Sequence, residues 1–291
     1  MKGKELKVKE PVTSVLPLVR SLYASLTKSE RKVGETLLKD PQQALYATVS
    51  DLAEASGVGE TTVLRFCREM GFRSYQEFRL VLSRDLMRPE EHLSGFEIAQ
   101  DDLSALAHGL TTTNAKALQD TLALFDPQAL KRAVDILLTS RRVHVYGVGS
   151  SGVAAQDAKY KFIRMGLPVE AITDPHLQAM SATTLGSEDA VLAFSFSGST
   201  KDTFDSVKLA RAAGARIICI TAHARSPLTR LADVVLLNAA RETPLQGGNL
   251  SSRIAQLHVL DFLYTATALA ARDRALHFAE QTAKAVLDKL Y

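Results

Sequence analysis

Residues 143–152, Val143-His144-Val145-Tyr146-Gly147-Val148-Gly149-Ser150-Ser151-Gly152, decide how the larger part of this chain is to be read. A short, mostly apolar run gives way to glycine and serine and then to a helical stretch, the pattern of a buried strand feeding a turn and a helix. Four further apolar runs follow, at Val169 to Ile172, Ala190 to Phe194, Ile217 to Ile220 and Val234 to Leu237, alternating with helical stretches. Strands that are apolar throughout and separated by helices predict an α/β unit, a five-stranded parallel sheet covered by helices on both faces. A long helix from about Asp101 to Leu124 precedes the sheet, with Pro127 suited to the first position of the next helix. Two helices, about Leu250 to Arg272 and Arg274 to Leu290, close the unit.

Upstream the pattern is helical only. Thr27-Lys28-Ser29-Glu30 has capping-box spacing, which predicts a helix from Lys28 with Val33, Leu37 and Leu38 inward, ending before Asp40-Pro41. A helix over Asp51 to Ser56 is expected with Ser50 as its cap, then a turn through Gly57, then a helix from about Glu60 to Met70. In that helix Val63, Phe66, Cys67 and Met70 fall at i, i+3, i+4 and i+7, one buried stripe. Gly71 ends it, and Ser74 caps a last helix, Tyr75 to Met87, with Phe78, Val81 and Leu82 inward. Between the two parts, Arg88 to Asp102 carries proline, glycine, five acidic residues and no sustained period, which reads as a linker. The expected division is therefore 1–87, a linker at 88–102, and 103–291.

The 291 residues are 46% hydrophobic and 23% charged, which excludes a disordered chain. The longest apolar runs are four to six residues, far short of the roughly 20 that cross a bilayer. The opening MKGKELKVKEPVTS has no apolar core of a secretory signal, so a cytoplasmic chain without a membrane partner is expected. Cys67 and Cys219 lie far apart with no metal-ligand spacing, and both read as core hydrophobes; no metal or cofactor is implied. Charge is uneven: residues 1–89 hold 15 Lys and Arg against 11 Asp and Glu, and the remainder 20 against 21. The basic excess belongs to the helical part, where two short helices about a tight turn have helix-turn-helix spacing. With the apolar stripe inward, Glu60, Thr61, Thr62, Arg65, Arg68 and Glu69 face away from the core, and Arg73 and Arg79 flank the same surface. That set suits double-stranded DNA, although a small bundle with a solvated polar face has the same pattern.

Gly147 to Gly152 is also a literal G-x-G-x-x-G, and Asp174 lies where a dinucleotide site wants an acid. A lone fingerprint carries little weight. The third apolar run ends in a second loop of similar chemistry, Ser195-Phe196-Ser197-Gly198-Ser199-Thr200, directly before another helix. Two hydroxyl-rich loops at helix N-termini suit one compact phosphate better than a long dinucleotide. The plainer reading is that these hydroxyls cap their helices.

Taken together, Gly147-x-Gly149-Ser150-Ser151, Ser195-x-Ser197-Gly198-x-Thr200 and Leu250-Ser251-Ser252-Arg253-Ile254-Ala255-Gln256 resemble a SIS domain, the phosphosugar-binding module of sugar isomerases. Leu26-Thr27-x-x-Glu30-Arg31-Lys32-Val33 and Val63-x-Arg65-Phe66-Cys67-Arg68-x-Met70-Gly71-Phe72 resemble the helix-turn-helix domain attached to it in the RpiR family of bacterial transcription regulators. The resemblance runs from roughly residue 14 to 285. It implies a DNA-binding regulator of sugar or amino-sugar genes whose phosphosugar effector is held by Gly149, Ser150, Ser151, Ser195, Ser197, Gly198, Ser199 and Thr200. Ser252 and Arg253 match the family's late Ser-Arg pair, and His176 is a further candidate contact. Gly59 departs from the Ser or Ala common there, a change of a few tenths of a kcal/mol at a cap. The competing reading is a sugar-phosphate isomerase using Asp174, His176, Glu242 or His258 for proton transfer; a plain phosphosugar-binding module is a third. Leu260, Leu263, Ala266, Leu269 and Ala270 offer more apolar surface than one sheet face needs, which predicts a homodimer or homotetramer.

Overall fold

Local capping chemistry sets the helices of the first part. The computed structural model describes residues 14–86, 102–240 and 250–289, and the chain divides into two compact units. Helix α1 spans Leu16–Leu22. Helix α2, Lys28–Lys39, starts on the expected capping box: Thr27 N–H and hydroxyl donate to Glu30 Oε2 at 3.0 and 2.6 Å, and Glu30 N–H returns to Thr27 Oγ1 at 3.4 Å. The Asp40-Pro41 pair that ends it also opens α3, Pro41–Tyr46, through Asp40 Oδ1 accepting from Gln43 N–H at 2.8 Å. Sequence reading had passed over both α1 and α3.

Helix α4 is Val49–Ala55, two residues earlier than expected, because Thr48 rather than Ser50 is its cap. Asp51 stands at N3 and completes a second capping box with Thr48, at 2.9, 2.7 and 3.1 Å. Ser50 instead lies inside the helix and donates to Glu60 Oε1 at 2.5 Å. Gly57 makes the turn at φ +62°, α5 runs Glu60–Glu69, and α6 runs Tyr75–Leu86 with Ser74 Oγ accepting from Glu77 N–H at 3.1 Å. The core is the expected stripe and more: Val33, Leu37, Leu45, Val63, Phe66 and Phe78 are wholly buried. None of residues 14–86 forms a strand.

Linker residues 88–101 lie outside the described residues; Asp102 caps α7, Leu103–Ala123, at Ala105 N–H. Helix α8, Pro127–Thr139, starts with Pro127 in its first turn and Asp126 as cap. Then β1 (Val143–Tyr146), α9 (Ser150–Ile163), β2 (Val169–Ile172), α10 (Pro175–Ala182), β3 (Ala190–Phe194), α11 (Lys201–Ala212), β4 (Arg216–Thr221) and β5 (Val234–Leu237) alternate. The connection from β4 to β5 carries only the short 3₁₀ turn Thr229–Leu231, not a helix. Helices α12, Leu250–Ala270, and α13, Arg272–Lys284, close the unit with a 109° bend between them.

The sheet is parallel with order β2-β1-β3-β4-β5. One face, with Val145, Leu192, Phe194, Ile218, Ile220 and Leu236, packs on α8, α9 and α12. The other, with Tyr146, Val191, Ala193, Ile217 and Cys219, packs on α10 and α11. Both cysteines are buried in cores, and burial pushes the Cys67 thiol up to about 12. Leu260 and Leu263, counted in the sequence as surplus apolar surface, are wholly buried in this core. Leu269 and Ala270 are exposed and Ala266 is half-buried. Among the described residues no single helix is long and apolar enough to cross a membrane.

Candidate functional site

Strand order creates the site before any side chain does. Neighbours β1 and β3 send their chains in opposite directions, β1 through α9 to β2 and β3 through α11 to β4. Their carboxyl ends form a switch point, the place where open α/β sheets leave a crevice.

The turn after β1 has no room for a side chain at Gly147, where a Cβ would lie 2.5 Å from Ser151 O. Gly149 takes φ +57° and ψ −129° and is the N-cap of α9, with no side chain closing the helix's first turn. After β3, Gly198 takes φ +61°, and a Cβ there would run into Ser226 Oγ. All three glycines therefore serve backbone geometry.

Hydroxyls in the second loop bond within the loop and not as caps. Ser195, 1% exposed, has its Oγ 3.2 Å from Thr200 Oγ1. Ser197 Oγ accepts from Ser199 N–H at 3.2 Å, and Ser199 Oγ donates to Ser197 O at 3.2 Å. Thr200 is the N-cap of α11 but makes no side-chain cap bond. Two helices thus open at neighbouring strand ends with first-turn N–H groups that no side chain takes, and both helix dipoles favour negative charge there.

Helix α12 brings the third sequence motif to the first loop. Ser252 and Gln256, one turn apart and both buried, lie on one helix face, and Gln256 Nε2 donates to Ser151 Oγ at 3.3 Å. Arg253 is half-buried, and its Nε has no hydrogen-bond partner among the described residues. Neither Gln256 nor Gln178 had been singled out from the sequence. Gln178 is wholly buried and donates to Ile172 O at 2.7 Å and Gly147 O at 3.2 Å, tying the ends of β1 and β2 together. The available signal was an amide at an inward position of each helix.

His176 is exposed on α10, roughly 200° around the helix from the buried Gln178. Asp174 is the N-cap of α10, with its Oδ1 accepting from Leu177 N–H at 2.8 Å, so the structure gives this carboxylate a capping role. His258 lies against the Phe262 ring, tilted by 55°, with centroids 4.3 Å apart. Glu242 lies outside the described residues.

In the helical unit, Thr61, Arg65, Arg68, Glu69 and Arg73 are exposed, and Glu60 and Thr62 half-buried. Arg65 also reaches the buried Glu30, with Nε 2.7 Å from Glu30 Oε1. Burial alone pushes the Glu30 carboxyl up, but the bonds from Thr27 and Arg65 outweigh it and hold the group below its ordinary value. Arg79 does not flank this surface: it is buried, and its Nε donates to Leu45 O at 2.8 Å. Its place on α6 turns it toward α3, where a carbonyl at the helix end needs a donor.

Comparison with known proteins agrees with this division. Residues 13–89 match the helix-turn-helix domain of the rpiR family, and residues 136–266 match the SIS domain. The chain is 38% identical to an uncharacterised HTH-type transcriptional regulator of Haemophilus influenzae, covering 95% of this chain and 97% of that one. It is 34% identical to the HTH-type transcriptional regulator HexR of Pseudomonas aeruginosa, covering 88% and 90%. Among solved structures, the Vibrio vulnificus NanR protein complexed with ManNAc-6P superposes with a TM-score of 0.86 at 28% identity, covering 95% and 99%. With an rpiR-type helix-turn-helix unit ahead of a SIS unit whose role is regulatory and not catalytic, this chain belongs to the RpiR family of HTH-type transcriptional regulators.

Proposed function

We propose that this regulator reads an operator of sugar or amino-sugar genes and is controlled by a sugar phosphate bound at the β1/β3 switch point. The observation that carries this reading is the pair of uncapped helix N-termini, α9 and α11, facing one crevice with the Ser195 to Thr200 hydroxyls between them. A phosphate dianion takes both what the dipoles favour and what the orphan N–H groups lack. Likeness to NanR, solved with ManNAc-6P, supports the same ligand class. Loop residues Gly149, Ser150, Ser151, Ser195, Ser197, Gly198, Ser199 and Thr200 hold the phosphate and nearby hydroxyls, Ser252 and Arg253 complete the wall from α12, and His176 stays at the rim.

The operator is read by α5 with Thr61, Thr62, Arg65, Arg68 and Arg73, and Glu60 at its first turn. Effector binding shifts the population between arrangements of the reading units on a cytoplasmic homo-oligomer, with residues 88–102 as the linker. A thermal-shift panel of sugar phosphates tests the ligand class, since a ligand of the native state stabilises it by about 2.7 kcal/mol at 100 times its Kd. One or more phosphorylated sugars raise the melting temperature, and their unphosphorylated counterparts do not. Equal shifts from both forms, or from neither, overturn the phosphate site. NMR of the bound sugar phosphate shows no turnover above background; turnover abolished by Ser197→Ala overturns the regulatory reading.

A further inference from the structure

We infer that Gln256 is a positioning residue for the effector, acting through Ser151: its amide fixes the direction of the serine hydroxyl so that the proton is offered to the ligand's anionic group. This rests on the effector reading above. Gln256 is 2% exposed and Ser151 7%, and their bond spans 105 positions of sequence, from α12 to the first turn of α9. A serine hydroxyl has one proton and two lone pairs. Here one lone pair takes the Gln256 Nε2 proton, so the hydroxyl's own proton must find an acceptor elsewhere.

In a helix that acceptor is ordinarily the carbonyl four residues back. For Ser151, in the first turn of α9, the residue four back is Gly147, ahead of the Gly149 cap; its carbonyl accepts from Gln178 Nε2 at 3.2 Å, and the Ser151 hydroxyl makes no bond to it. Gln256 is the only hydrogen-bond partner of the Ser151 side chain among the described residues. The first turn of α9 beside it has backbone N–H donors that no side chain takes. A hydroxyl with a proton of its own to place next to such donors suits an anion. The two buried glutamines thus act at the same turn: Gln178 bonds the Gly147 carbonyl, and Gln256 takes one lone pair of the Ser151 hydroxyl.

The test titrates inorganic phosphate into the full-length protein, read by ³¹P line broadening and by thermal shift, for wild type, Gln256→Leu, Gln256→Glu, Ser151→Ala and the Ser151→Ala/Gln256→Leu pair, with Ser197→Ala beside them. Gln256→Leu and Ser151→Ala each weaken phosphate binding roughly tenfold, and the double variant is no weaker than Ser151→Ala, because one residue acts through the other. Gln256→Glu keeps the shape but accepts the serine proton, so it weakens binding further. Its deficit relative to wild type at the same pH shrinks as pH falls and the buried acid becomes a donor. A packing role alone would lower the melting temperature without that pH profile. Ser197→Ala weakened while both Gln256 variants bind as wild type overturns this inference and leaves the effector reading standing, and an additive double variant does the same. Failure of wild type to bind phosphate, or of Ser197→Ala to weaken it, overturns the effector reading itself.

Discussion

Arg65 does two things that its place on the helix wheel separates poorly. Its side chain is 54% exposed on the proposed DNA-reading face of α5, yet its Nε closes on Glu30, which is 4% exposed and belongs to the capping box of α2. Arg65→Ala therefore loses operator affinity and also leaves a buried carboxylate short of a donor, at about 1–3 kcal/mol of stability. Arg68, exposed on the same helix, separates the effects: Arg68→Ala loses about 1–3 kcal/mol of operator binding with an unchanged denaturant melt. Gel-shift titration at fixed salt beside the melts checks both, and Arg65→Ala melting like wild type contradicts the pairing. The same pair gives a pH signature. Glu30 is held below its ordinary 4.5 in the folded chain, so its contribution is complete above that value and is lost as pH falls through the lower, folded one. Glu30→Gln should be less stable than wild type near about pH 7, and the gap should narrow in melts as pH falls below the ordinary carboxylate range. A constant gap would refute the assignment.

For elements, the second loop carries the sharpest test. Ser197→Ala removes a hydroxyl donor to a charged acceptor, about 1.5–3 kcal/mol, so effector affinity falls roughly tenfold to a hundredfold. Were the hydroxyl a helix cap, the variant would lose about 1 kcal/mol of stability and keep its affinity; the observed bonds of Ser197 lie within the loop and not at the first turn of α11. Gly198→Ala forces an L side chain to φ +61° against Ser226, which costs roughly 1–2 kcal/mol from backbone alone. Its melt should fall and its effector response should fall with it. A variant with lowered stability but full affinity would mean that the loop's shape is irrelevant to the ligand.

For the whole molecule, the helical unit and the sheet unit bury separate cores. Ser197→Ala should accordingly bind operator like wild type when no effector is present, as a gel shift without sugar phosphate would register. The proposed self-association would draw on the end of α12 and on α13, where Leu269 and Leu276 are 71% and 60% exposed. Leu269→Glu with Leu276→Glu is expected to shift sedimentation toward monomer and weaken binding to a two-half-site operator, with single-half-site binding retained. Unchanged sedimentation would place the interface elsewhere.

Sequence by itself determined the two classes of unit, the five strands to within a residue, the capping box at Thr27 and the serine loops, because each rests on spacing within a few residues. Glycine at 57, 147, 149 and 198 marked the turns for the same reason. What only tertiary structure decided involves partners distant in the chain. Thr48 displaced Ser50 as a cap once Ser50 had Glu60 to bond, and Arg79 went inside because α3 offered it a carbonyl. Leu260 and Leu263 became core because α12 packs against α8, α9 and the sheet face they cover. Above all, the bond from Gln256 to Ser151 joins residues more than a hundred positions apart. No periodicity signals such a pairing, because whether a buried amide finds a donor or an acceptor depends on which helix the fold sets against it.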